Sequence, residues 1–251
     1  MDCAIINFDC GKLAFFLITN AGYLFLTFLP PVIWLFFYLR EDDHPEPKRL
    51  IMTAFVGGIL VAIPTAVIQY YGIRMTGQTL ANLTAQYPIF LFLFMAFTEE
   101  YAKYFVVQNL IALRREFDEP IDAMIYLMSS AMGFAAIENA LFSFPVFRGE
   151  FFAGLELVAG RFLGANLLHV LASGVLGYFI ARAYVSPNRR SVIFFGLLTA
   201  TALHAAFNYL ILIKGVVSQG ASYLILFLII LAIVVFVEFE RLRRRRVNFV
   251  Q

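Results

Sequence analysis

The sequence predicts an all-α, polytopic membrane protein, a bundle of about seven transmembrane helices whose polar residues gather on the third to the sixth. Three observations lead there. Of 251 residues, 61% are hydrophobic and only 14% charged, against roughly 45–50% and roughly 25% in soluble domains. Twenty-nine Phe and twelve Tyr carry more aromatic area than one soluble core of this size could bury without leaving large apolar patches. Seven long apolar runs follow one another, at about 13–39, 50–73, 87–113, 121–147, 157–184, 192–214 and 221–238, each near the ~20 residues needed to cross a ~30 Å hydrocarbon layer. A water-soluble enzyme is excluded. So is a β-barrel, whose strands would be about 9–11 residues long with alternating polarity.

The first run does not read as a cleaved signal peptide, because it is long and ends at Pro30-Pro31 and Trp34 instead of small residues. The second carries no diagnostic motif. The third carries Phe97-Thr98-Glu99-Glu100-Tyr101-Ala102-Lys103, the fourth Gly133-Phe134-Ala135-Ala136-Ile137-Glu138-Asn139, the fifth His169 and Ser173, and the sixth His204 and Asn208. The seventh ends in the basic tail Arg241 to Arg246, read as a topology anchor that touches anionic lipid; no nucleic-acid partner is expected. No linker or repeat divides the chain, so one integral-membrane domain over 1–251 is expected, with its motif-bearing core at about 87–214. Cys3 and Cys10 precede the first span and could form a disulfide in an oxidising compartment.

Thirteen basic residues, from Arg40 to Arg246, flank one side of the spans, and four (Lys12, Arg74, Arg148, Lys214) the other. The positive-inside rule then places the N-terminus outside and the C-terminus in the cytoplasm of a multi-pass cell-membrane protein.

An ionisable side chain at mid-span costs about 2.5–3.5 kcal/mol on insertion scales, so such residues mark a functional interior. At ~1.5 Å per residue, Glu99 and His169 lie about 18 Å below the outer ends of their runs, His204 about 15 Å and Glu138 about 14 Å. Four helices therefore bring ionisable groups to one layer. Within each helix the spacing keeps polar residues on one face: Glu99 and Lys103, His169 and Ser173, His204 and Asn208 are all i,i+4. Taken singly, each such group reads equally well as interhelical glue; the conjunction favours a site. Adjacent carboxylates in a low dielectric cannot both be comfortably ionised, which suits a general base. His and Glu at one depth are also a zinc ligand set. A proton-coupled transporter or channel using the same Glu, Lys and His residues as a relay is the alternative, although no inverted repeat is visible.

In order, Glu99-Glu100-Tyr101-Ala102-Lys103, Phe134-Ala135-Ala136-Ile137-Glu138-Asn139, His169 and His204-Ala205-Ala206-Phe207-Asn208 resemble the EExxK, FxxxEN, H and HxxxN motifs of the PrsW family of intramembrane proteases, related to the CAAX prenyl endopeptidases and bacteriocin-processing membrane enzymes. Asp122, Tyr126 and Arg161 fit that pattern, with Ala123 where a Gly is more usual. The resemblance spans about residues 95–210. It implies hydrolysis of a peptide bond in a membrane protein or peptide substrate, metal-dependent or of glutamic type. Glu100, assisted by Glu99 and held by Lys103, would activate the water. His169 and His204 would ligate zinc or hydrogen-bond the oxyanion, and Asn208 would donate to the oxyanion or orient His204. Glu138 would be the third metal ligand or set the histidine tautomers, and Asn139 would position it. The related enzymes have a His where this chain has Glu138. Nothing in the sequence sets the substrate or the oligomeric state.

The charge distribution makes one direct prediction. Cysteines introduced into 41–49 should be inert to an impermeant thiol reagent on intact cells, whereas those in 74–86 should react; the reverse pattern would invert the topology.

Overall fold

The computed structural model describes residues 10–40, 45–214 and 219–244, with side chains described from residue 19 onward. Among the described residues there are nine helices and no strand: α1 (Cys10–Leu39), α2 (Lys48–Met75), α3 (Leu80–Gln86), α4 (Pro88–Leu110), α5 (Asp122–Gly149), α6 (Phe151–Leu163), α7 (Ala165–Tyr184), α8 (Arg189–Ile213) and α9 (Gly220–Arg243). Helix is what lipid demands, because every backbone N–H and C=O must find its partner within the segment. By length and composition six helical stretches can cross a membrane, or seven when the bent pair α3–α4 counts as one. The expected bundle is therefore present. Cys3 and the side chain of Cys10, the pair that could form a disulfide, lie outside what is described.

The helices depart from the apolar runs where local chemistry breaks them. Thr79 starts α3, its Oγ1 accepting from the Asn82 N–H at 3.2 Å, and Pro88 at the first position of α4 forces a new start, a place where its missing N–H costs nothing. The chain bends by 119° between the two helices. The run read at 157–184 begins earlier, at Phe151, and is interrupted at Gly164, whose backbone leaves the helical region (φ −105°, ψ −93°). Hydropathy sees through both breaks, because the residues around them stay apolar.

Helix α5 is the axis of the bundle. Its apolar window is 72% buried, against 22% for those of α1 and α9, and it packs on α1, α2, α4, α6 and α7. The tightest crossing is with α2. A Cβ on Gly58 would stand 2.0 Å from the Ser130 carbonyl oxygen, and one on Gly133 would stand 1.8 Å from that of Phe55. With no hydrophobic drive between helices in lipid, such small-residue contacts are what let backbones meet. Around the bundle, Phe25, Phe36, Phe37, Ile225, Ile229 and Ile233 are exposed and form part of the lipid-facing coat.

Both clashes are with backbone, which cannot rotate aside. Gly133→Ala should push α2 from α5 and destabilise the protein by about 1–3 kcal/mol, the usual cost of overpacking, seen as a lowered melting temperature in detergent; Gly149→Ala, with nothing within 4 Å of the added Cβ, should leave it unchanged.

Candidate active site

The ionisable residues of four helices meet at one level. From α4, Glu99, Glu100 and Lys103 are all buried, as are His169 and Ser173 on α7 and His204 on α8. Glu138, on α5, is the most open of the carboxylates here, with 20% of its side chain accessible.

Lys103 is the hinge of the network. Its Nζ lies 2.6 Å from Glu100 Oε1 and donates to His169 Nδ1 at 2.8 Å, with the Phe134 ring 5.0 Å away. An ammonium donates and cannot accept, so His169 Nδ1 is the acceptor and the ring proton sits on Nε2. That Nε2–H donates to Glu138 Oε2 at 2.8 Å. Glu100 is saturated: Oε1 also accepts from His204 Nδ1 at 2.9 Å, and Oε2 accepts from the Ser173 hydroxyl at 2.8 Å. A carboxylate on Nδ1 leaves His204 Nε2 as the lone-pair nitrogen, the arrangement that prepares a histidine for ligation.

Glu99 is different. Its Oε1 accepts from Gln69 Nε2 at 3.1 Å, but its buried Oε2 has no hydrogen-bond partner and lies 3.6 Å from His204 Nε2. A buried carboxylate oxygen left bare is costly unless something with positive character meets it. Glu99, His169 and His204 each offer a ligand atom, all within 4.8 Å of one another. This donor set fits a divalent ion with nitrogen and oxygen preference. The sequence left Glu138 as third ligand or as the carboxylate that sets the histidine tautomers; it lies on His169 Nε2, and Glu99 completes the mutually close group.

Glu138 stands one bond further out. Arg161 on α6 donates from Nη2 to Glu138 Oε2 and from Nε to Asn139 Oδ1, both at 2.6 Å, and stacks over Phe142 at 4.9 Å. Asn139 donates in turn to the Thr27 carbonyl at 3.1 Å. Asn139 thus reaches Glu138 through Arg161, not directly. Asn208 lines the wall without a hydrogen bond among the described residues.

Two cavities meet at this cluster. The larger, about 730 Å³, lies among α4 to α8 and the start of α9; Glu99, Glu138, Arg161, His169, His204 and Asn208 line it, and Glu156 and Lys214 belong to it as well. The smaller, about 180 Å³, lies between α2, α4 and α5 and shares Glu99, Glu138, Met95 and Phe142. Gln69 was missed by the sequence reading. The available signal was a lone amide in an otherwise apolar second run.

A family model described as PrsW family intramembrane metalloprotease matches residues 46–237. Three relatives bear the name Protease PrsW. That of Geobacillus kaustophilus is 30% identical over 180 residues, covering 71% of this chain and 74% of its own. The Bacillus subtilis protein is 24% identical over 198 residues, covering 78% and 84%. The Oceanobacillus iheyensis protein is 27% identical over 213 residues, covering 84% and 92%. No solved structure matches the chain.

Arg161 touches no ligand atom of the Glu99, His169 and His204 group, yet it fixes Glu138. Arg161→Ala should lower cleavage of a membrane-anchored peptide by about 10–100-fold, the usual effect of removing an outer-shell partner, without changing elution from a sizing column.

Proposed function

Given that the chain belongs to the PrsW family of intramembrane metalloproteases, we propose that the cluster on the larger cavity hydrolyses a peptide bond of a membrane-embedded substrate with Glu138 as proton acceptor. Glu99, His169 and His204 would hold the metal, His169 through Nε2 once that nitrogen gives up its proton and its hydrogen bond to Glu138. The observation that carries this reading is Glu99 Oε2, buried and unpartnered, within reach of both histidines. Zinc is the ion we assign, since catalytic zinc takes three nitrogen or oxygen ligands and keeps a further position open. When bound, it would supply a Lewis acid for the scissile carbonyl and make a bound water more acidic.

The chain's own residues supply the rest. Arg161 holds Glu138 by Oε2, and Oε1, with no hydrogen bond among the described residues, is the oxygen we assign to proton transfer. It accepts a proton from the attacking water as the new C–O bond forms, and returns that proton to the amine as the C–N bond breaks. The sequence put the base at Glu100, but Glu100 is fully buried and held by Lys103, His204 and Ser173. Its role is to orient His204 and to neutralise Lys103. The Asn208 amide, on the cavity wall, donates to the developing oxyanion.

The substrate segment must be unwound at the cleavage point, because a helical backbone hides its carbonyls. It is a membrane protein or membrane-bound peptide. Its contacts are with the apolar wall of Phe92, Met95, Leu157, Phe207, Ile211 and Leu212. We place the N-terminus outside and the C-terminus in the cytoplasm from the distribution of basic residues. The proton-relay alternative draws no support from the family.

The roles of the two carboxylates separate experimentally. Purified protein treated with a strong chelator should lose cleavage and regain it with zinc. Glu138→Gln should keep the bound metal but lose about 10²–10⁴-fold in kcat, whereas Glu99→Gln should lose metal and activity together. Metal content by mass spectrometry and cleavage of a quenched fluorescent transmembrane peptide read both. Full activity of Glu138→Gln would remove the base assignment, and full activity of metal-free protein would remove the metal.

A further inference from the structure

Hydrolysis consumes a water at every turnover, and a bound substrate segment fills the larger cavity. The smaller cavity offers a second approach to the same carboxylates. Ala62, Ala66 and Gln69 on α2, Met95 and Glu99 on α4, and Phe134, Glu138, Leu141 and Phe142 on α5 line it. Two features distinguish it from a packing defect.

The first is polarity at its inner end. A cavity holds water only where two to four polar partners converge, and an apolar void of this size stays dry. Here the Gln69 amide and the carboxylates of Glu99 and Glu138 all reach it. Gln69 Nε2 lies 3.1 Å from Glu99 Oε1, 3.1 Å from Thr98 Oγ1 and 3.3 Å from the Met95 carbonyl, so the amide is fixed on α4 from across the helix interface. The second is the choice of small residues on α2. Ala62 and Ala66 are one turn apart, with Gln69 three residues further on the same face, and any larger side chain at 62 or 66 would occupy the space. The volume of about 180 Å³ accommodates several waters, each needing roughly 10–15 Å³ on this measure.

We propose that the cavity between α2, α4 and α5 is the route by which water reaches Glu138 while substrate occupies the larger cavity, with Gln69 as the polar post that keeps it wetted and holds Glu99. The proposal rests on the hydrolase reading above. It assigns a function to α2, which contributes no residue to the metal-binding group.

The test compares filling the route with probing it. Ala66→Leu should lower kcat on a quenched fluorescent transmembrane peptide by about tenfold while KM changes less than twofold, since water delivery and not substrate binding is obstructed; Ala66→Ser, of similar size and polar, should retain activity. In a Cys3→Ser, Cys10→Ser background, Ala66→Cys should react in membranes with a small water-soluble methanethiosulfonate. A saturating uncleaved transmembrane peptide should leave that rate unchanged while slowing the reaction of Leu157→Cys in the larger cavity. An unreactive Ala66→Cys, protection of it by the peptide, or an Ala66→Leu variant that raises KM at unchanged kcat would overturn the route, the last two marking a substrate subsite instead. Labelling does not depend on turnover. Failure of wild-type protein to cleave any peptide would therefore strike the hydrolase reading, and the labelling pattern would still judge the cavity.

Discussion

A fully buried ammonium in a lipid-embedded bundle has to be answered from several directions at once, and Lys103 is that constraint here. One side meets Glu100 at 2.6 Å and another meets His169 at 2.8 Å. Each partner is then committed. Glu100 spends its remaining capacity on His204 and Ser173, and His169 turns its other nitrogen to Glu138. Removing one member of such a buried ion pair costs about 3–5 kcal/mol because the survivor is stranded. The network therefore sets the relative positions of α4, α5, α7 and α8 as much as it sets up chemistry. Some carboxylate oxygens stay outside it.

Those atoms are few. Among the carboxylates of the cluster, Glu99 Oε2 is buried and bare, and the bonds to Glu138 fall on one oxygen only. Neighbouring carboxylates on one helix turn thus differ by the direction in which each projects: Glu100 is held on both oxygens, and Glu99 keeps one bare. Glu100 points into the α7–α8 side and finds donors, whereas Glu99 lines both cavities.

Much of this arrangement was legible in the sequence, for a geometric reason. Helices in lipid are long and regular, so spacing along each run converts to depth, and Glu99, Glu138, His169 and His204 could be placed in one layer before any packing was known. The difference in bonding between Glu99 and Glu100 was not legible, because it depends on the rotation of α4 against three other helices and on a donor, Ser173, whose partner lies 73 positions away. Nor was Gln69, which stands in a run whose apolar character hides it. The breaks at Tyr87 and Gly164 escaped because hydropathy registers solvent, not backbone conformation.

The stretch formed by α6 and α7 holds 34 residues, and α5 holds 28. At ~1.5 Å each these measure about 51 Å and about 42 Å, while a bilayer offers about 30 Å of hydrocarbon and about 40–45 Å with its headgroups. Both exceed the hydrocarbon layer, and the α6–α7 stretch is longer than the headgroup regions included, so it must tilt or stand partly in water. Lipid thickness is then a dimension that these two stretches have to match. Shorter acyl chains lengthen the part that stands in water or increase the tilt, whereas longer ones draw it into the headgroups.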